Sequence, residues 1–268
     1  CIAVSDVCTA SAAFRTGRSF SCPHRTAVFV CVLLLAVVAR PVSAAAALAG
    51  ALRCDGACAA MASPLFVDSF CADSPGRKRL SAVCLRCLPP RFDVDEAAMW
   101  MEKWMALGAA EGFPVYLETH RFSMTTDLLF TLRLTNRMPE LRLVADLSHV
   151  MTAQEWFFPP LTYEEETMVE HLLRRSESFQ GRVASAEQIQ IQPDFPQHQV
   201  WVDIFKGWWT KGLRWWRQRH GPDDSCVFLC ELGPPSYAIT GADGWELSDR
   251  WTDALTIKGW VEEIWQGR

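Results

Sequence analysis

From Phe92 onward the chain repeats one alternation, a short apolar run followed by a longer amphipathic segment, and few folds accommodate that order. Ala97, Trp100, Met101, Trp104, Met105 and Gly108 recur at spacings of three and four and make one apolar helical face, which the Gly112-Phe113-Pro114 turn closes. Residues 115–118 then read as a strand, 126–137 as a helix with Leu128, Leu129 and Leu132 inward, and 141–146 as a second strand. A helix over 163–175 carries Met168, Val169, Leu172 and Leu173, and a strand over 178–184 follows. The next helix, 200–219, turns Val202, Phe205, Trp209, Leu213 and Trp216 inward, and 226–231 is the fourth strand. Ser248 can cap a last helix that buries Trp251, Ala254, Leu255, Val261 and Trp265. Alternation of this kind implies parallel strands joined by right-handed crossovers, so the expected fold is α/β with four β/α units. The tryptophans at helical spacing read as packing groups, since indoles bury large areas.

The first ninety residues are a different kind of sequence. They hold nine of the eleven cysteines, nine Lys/Arg against four Asp/Glu and no Trp, whereas the rest carries all twelve Trp and 17 basic against 27 acidic groups. Residues 27–39 form an apolar run with arginines before it and small residues after it. That run is too short to span a bilayer comfortably and fits the core of a signal or targeting segment. Without it the chain would be expected in the cytoplasm. Cys54, Cys58, Cys84 and Cys87 could supply four thiolates to zinc, but their spacing is loose and free cysteines are the better reading. Residues 1–90 are therefore expected to be a leader or poorly structured Cys/Ala-rich segment, and 91–268 the folded domain. The net charge of -5 offers no basic face for nucleic acid.

Three of the apolar runs end on an acid: Glu118, Asp146 and Glu231 each stand where a strand hands over to a loop. In repeated β/α folds that edge carries the chemistry, and convergent carboxylates there are what a hard metal ion requires.

Glu118-Thr119-His120-Arg121, the run from Leu141 through Asp146 to His149, Arg182-Val183 and the run from Glu231 through Gly233 to Tyr237 together resemble the second half of the xylose isomerase-like TIM barrels, the sugar phosphate isomerase/epimerase group. The resemblance covers about residues 92–265 and implies the C-terminal half of a (β/α)8 TIM barrel with a divalent metal at the mouth. By it, Glu118, Asp146 and Glu231 fall on metal-ligand positions, and Gln180 stands where relatives carry a ligand histidine, two residues before the arginine. His149 matches a histidine facing metal or substrate, and His120, Arg182 and Gln190 match positions toward the substrate. A glutamine oxygen in place of imidazole shifts preference from zinc toward magnesium or manganese.

The resemblance implies an isomerase or epimerase of a sugar or sugar-like α-hydroxy carbonyl. Glu118 and Glu231 would exchange the proton on the carbon beside the carbonyl, and His149 would polarise a substrate oxygen. A complete barrel needs about 250 residues. Only its last four units are legible, so the isolated half is expected to expose two sheet edges and to self-associate through them. Two alternatives are a non-catalytic relative that acts as a binding domain and an AP endonuclease-like metal-dependent phosphodiesterase. The second is disfavoured by the lack of extra histidines at strand exits.

Overall fold

The computed structural model describes residues 2–6, 66–72, 80–86, 92–112, 114–156 and 159–267. The apolar run 27–39 and the proposed cysteine-rich zinc site lie outside the residues whose side chains are described.

At the centre are four parallel strands, β4 (Val115–Glu118), β5 (Leu143–Asp146), β6 (Ser176–Gln180) and β7 (Cys226–Cys230), paired in chain order. The expected α/β architecture with a parallel sheet is present. Beyond the four, β1 (Ile2–Asp6) pairs in parallel with β7, and β3 (Leu80–Arg86) pairs in parallel with β4 and antiparallel with β2 (Phe66–Ala72). Both outer strands of the central four are thus paired by strands from a region in which the sequence reading placed none. Hydrogen-bonding groups on an open β edge seek a partner, and here the chain supplies it.

The helices are α1 (Val94–Glu111), α2 (Leu128–Arg137), α3 (Leu147–Gln154), α4 (Tyr163–Arg175), α5 (Gln199–Arg219) and α6 (Arg250–Gln266). Their ends follow local chemistry. Asp93 with Glu96 and Thr162 with Glu165 form capping boxes at α1 and α4, and Gly112 at φ 82 closes α1 in the left-handed conformation that glycine adopts without strain. The cap of α6 is Asp249, whose carboxylate accepts from the Thr252 amide, and not Ser248, whose hydroxyl donates to Asp253 instead. Leu129 and Leu255, expected inward, are 56% and 43% exposed. On α2 the buried stripe runs through Leu128, Thr131, Leu134 and Thr135, the threonine hydroxyls being satisfied by helix carbonyls one turn back. On α6 the stripe is Ala254, Ile257 and Val261.

Successive side chains of a strand point to opposite faces, and the parallel register fixes which residues share one. Val115, Leu117, Leu143, Ala145, Phe179, Cys226 and Phe228 face the helices and join a core with Trp104, Leu172, Phe205, Trp208 and Trp209. Tyr116, Val144, Val227 and Leu229 form a separate small apolar cluster on the other face. The helical layer is closely fitted. A Cβ on Gly212 of α5 would stand 2.6 Å from the ring of Phe179 and 3.0 Å from Leu173, both fully buried. Gly212→Ala should therefore lower stability by about 1–3 kcal/mol in chemical denaturation, although alanine is the better helix former.

Candidate metal centre

The face opposite the helices collects the site. Glu118 is in register with Val144, Asp146 with Gln180, and Gln180 with Leu229, so Glu118, Asp146 and Gln180 project to one side. Glu231, two residues past Leu229, continues the same alternation, and its amide donates to the Gly181 carbonyl at 3.2 Å, extending the β6–β7 pairing beyond the strands. One carboxylate oxygen from each of Glu118, Asp146 and Glu231 lies within 4.8 Å of the other two. Glu118 and Asp146 are buried, and Glu231 is half-buried. The three acids the sequence places at strand ends are thus brought together, with Gln180 on the strand between Asp146 and Glu231.

Local hydrogen bonds set each position. At the β4 exit the Thr125 hydroxyl donates to the Glu118 carbonyl at 2.8 Å and accepts from the His120 amide at 2.8 Å, tying the turn that follows to the strand end. The Thr119 hydroxyl donates to the Asp146 carbonyl at 2.9 Å, which links the β4 and β5 exits. Asp146 caps α3: its Oδ1 accepts from the Ser148 amide at 3.0 Å and the Ser148 hydroxyl at 2.5 Å. Its Oδ2 pairs with the Arg182 guanidinium, which also donates to Ser148 Oγ at 2.9 Å and approaches His149 Nε2 at 3.2 Å. The rings of His120 and His149 sit 3.7 Å apart between centroids.

Electrostatics follow from this arrangement. Burial would raise the Asp146 carboxyl, but Arg182 first, then His149, the Ser148 hydrogen bond and His120, outweigh it and lower its pKa to about 2. Burial drives His149 well below its usual range, and Arg182, His120 and Arg121 add to that against the pull of Asp146. The imidazole is accordingly neutral. Since a guanidinium only donates, His149 Nε2 facing Arg182 is the acceptor nitrogen, and Nδ1, buried and with no hydrogen-bond partner, carries the hydrogen. One oxygen from each of the three acids stands where a divalent cation could be held.

The donor set fits such an ion. Gln180 is 1% exposed, and neither its amide oxygen nor its nitrogen has a hydrogen-bond partner. A buried polar group left so costs about 1–3 kcal/mol, which a ligand would relieve. An oxygen-only set of carboxylates and an amide suits magnesium or manganese.

Two residues expected to meet substrate have other partners. Arg182 is 1% exposed and committed to Asp146, Ser148 and His149, with its guanidinium 5.1 Å over the Tyr237 ring. Gln190 has both ends of its amide on the Gly233 backbone. Ser148, Thr125 and Tyr237 were not anticipated; for Ser148 the signal lay in an acid two residues before a serine at the start of a helix. A groove of about 410 Å3 between Pro160, Glu166, Ile204, Trp208 and Lys211 lies elsewhere, on the helical layer. Among the described residues no helix is long and apolar enough to cross a membrane.

Comparison of the chain with models of known families, with curated proteins and with solved structures finds no match.

Because the folded pKa of Asp146 is depressed, its contribution to stability is fully present above the unfolded value near pH 4 and is lost as pH falls through about 2. Arg182→Met leaves that buried carboxylate without its cation. At neutral pH it should cost about 3–5 kcal/mol in denaturant titrations. The loss should shrink as pH drops toward 2 and Asp146 takes up a proton.

Proposed function

We propose that residues 91–268 are the second half of a xylose isomerase-like barrel and that the chain is a divalent-metal-dependent sugar isomerase or epimerase. The observation that carries this reading is the convergence of Glu118, Asp146 and Glu231 around one point, with the unpartnered amide of Gln180 on the same face. These four residues would hold the ion, magnesium or manganese in preference to zinc. When bound, a divalent cation supplies Lewis acidity that lowers the cost of negative charge developing on a substrate carbonyl oxygen.

The chain's own groups do the rest. Glu118 and Glu231 come from β4 and β7, the two outer strands of the central four, and so flank whatever sits over Asp146 and Gln180. One carboxylate takes the proton from the carbon beside the carbonyl and the other returns it: return to that carbon from the opposite face gives the epimer, and delivery to the former carbonyl carbon, with a proton passed between the two oxygens, gives the isomer. Neutral His149 donates from Nδ1 to a substrate oxygen, and His120 packs against it to hold its ring. Arg182 keeps Asp146 ionised and oriented rather than binding substrate.

A second reading has its own support. Gln180 in place of an imidazole and Asp146 with both oxygens already engaged favour a relative that binds its ligand without turning it over. Incubation with manganese and candidate ketoses in heavy water separates the two. The enzyme reading expects deuterium on the carbon beside the carbonyl, reduced by about 100-fold or more in Glu231→Gln. Metal binding with no carbon label from any ketose supports the binding module. Cleavage of a phosphodiester would instead favour the endonuclease-like alternative. Gln180→His should move the metal preference toward zinc, read by competition between the two ions.

A further inference from the structure

We infer that Gln190 is the positioning residue for Glu231, holding that acid over the sheet through the peptide of Gly233; this rests on the reading of Glu231 as a group that holds metal and moves a proton. Gln190 is 4% exposed. Its Oε1 accepts from the Gly233 amide at 2.7 Å and its Nε2 donates to the Gly233 carbonyl at 3.1 Å, so one side chain satisfies both backbone groups of a residue 43 positions away. A flanking strand would bind a peptide in the same way. Here a single primary amide replaces it.

The loop that carries Gln190 is itself anchored. Ile191 donates its amide to the Val183 carbonyl at 3.0 Å and the Ser185 amide donates to the Gln188 carbonyl at 2.9 Å, so residues 183–191 close on themselves just beyond β6. On the other side, Glu231 is held at its own amide by Gly181. Two residues later comes Gly233, and after it Pro234 and Pro235, which have no amide hydrogen with which to be tied. The Pro234 carbonyl accepts from the Tyr237 and Ala238 amides, bonds local to that turn, so the Gln190 clasp is a tie that joins the chain beyond Glu231 to a distant segment. Gly233 has no slack on its remaining side: a Cβ there would stand 2.7 Å from Tyr237 Cγ. Glu231 is thus pinned between Gly181 and a peptide gripped by Gln190 and Tyr237. Neither half of the clasp survives in an apolar side chain, and a carboxylate keeps only the acceptor half.

The test is a cycle of manganese titrations on the full chain, following free Mn(II) by electron paramagnetic resonance, for the unaltered protein, Gln190→Met, Glu231→Ala and the double variant. Groups that orient metal ligands typically change affinity by about 10–100-fold. Gln190→Met should weaken manganese binding by about 10-fold in the unaltered background and leave it unchanged where Glu231 is already Ala, because the ligand to be placed is gone. Equal weakening in both backgrounds would show a general structural role and overturn the inference, as would no weakening in either. If Gln190→Met does not fold, Gln190→Asn, whose amide stops one methylene short of the Gly233 peptide, serves in the same cycle with the same dependence on Glu231. An unaltered chain that binds no manganese overturns the reading of the acids themselves, a different result from a site that binds and ignores Gln190.

Discussion

The buried pair of Asp146 and Arg182 is the interaction on which the site depends. A carboxylate at the end of β5 with no accessible surface cannot stay ionised unless a cation and hydrogen-bond donors replace its water. Arg182 and Ser148 provide them, and in doing so fix three elements at once: the end of β5, the first turn of α3 and the segment after β6. His149 lies against the guanidinium, and its own burial first, with Arg182 adding to it against the pull of Asp146, keeps it a neutral donor. Such a pair is weak support for stability, because desolvating two charges consumes most of what their attraction returns. Its consequence is orientation and charge.

That consequence extends across the sheet. The four central strands present aliphatic and aromatic side chains to the helices and a row of polar ones to the opposite face. A fold selected for stability alone would fill the second face with apolar groups, as it does at Val144 and Leu229. Instead Gln180 is kept dry with neither amide atom bonded, close to three gathered acids. Local violations of good packing chemistry, concentrated at one end of one sheet, are how a site distinguishes itself from a core.

The strong periodicities were legible. The apolar faces of α1, α4 and α5 and strands β4 and β7 follow from spacing, because a repeated pattern over many residues leaves one way to bury itself. The clustering of Glu118, Asp146 and Glu231 was legible too, from their equivalent positions in successive units. What failed did so for local reasons. Helix α3 leaves no sequence signal because its eight residues begin directly after Asp146, with no loop to announce them. The third central strand begins earlier than the pattern suggests because α4 runs into β6 with no connection, so the strand occupies Ser176–Gln180 while residues 181–184 continue as buried chain. Leu129 lies outside the stripe because Thr131 and Thr135 bury in its place, each satisfied by its own helix. The partners of Arg182 and Gln190 connect residues more than thirty positions apart, and no short-range pattern reveals them. Arg182 is engaged by Asp146, Ser148 and His149, and Gln190 by the Gly233 backbone.

We propose the polar face as a cation site, and a count of bound ions decides it. Equilibrium dialysis of the full chain against manganese should give one ion per chain, competed by magnesium, and none for a Glu118→Gln, Glu231→Gln double variant that retains its fold. No bound ion in the unaltered chain, or undiminished binding in the double variant, would contradict it.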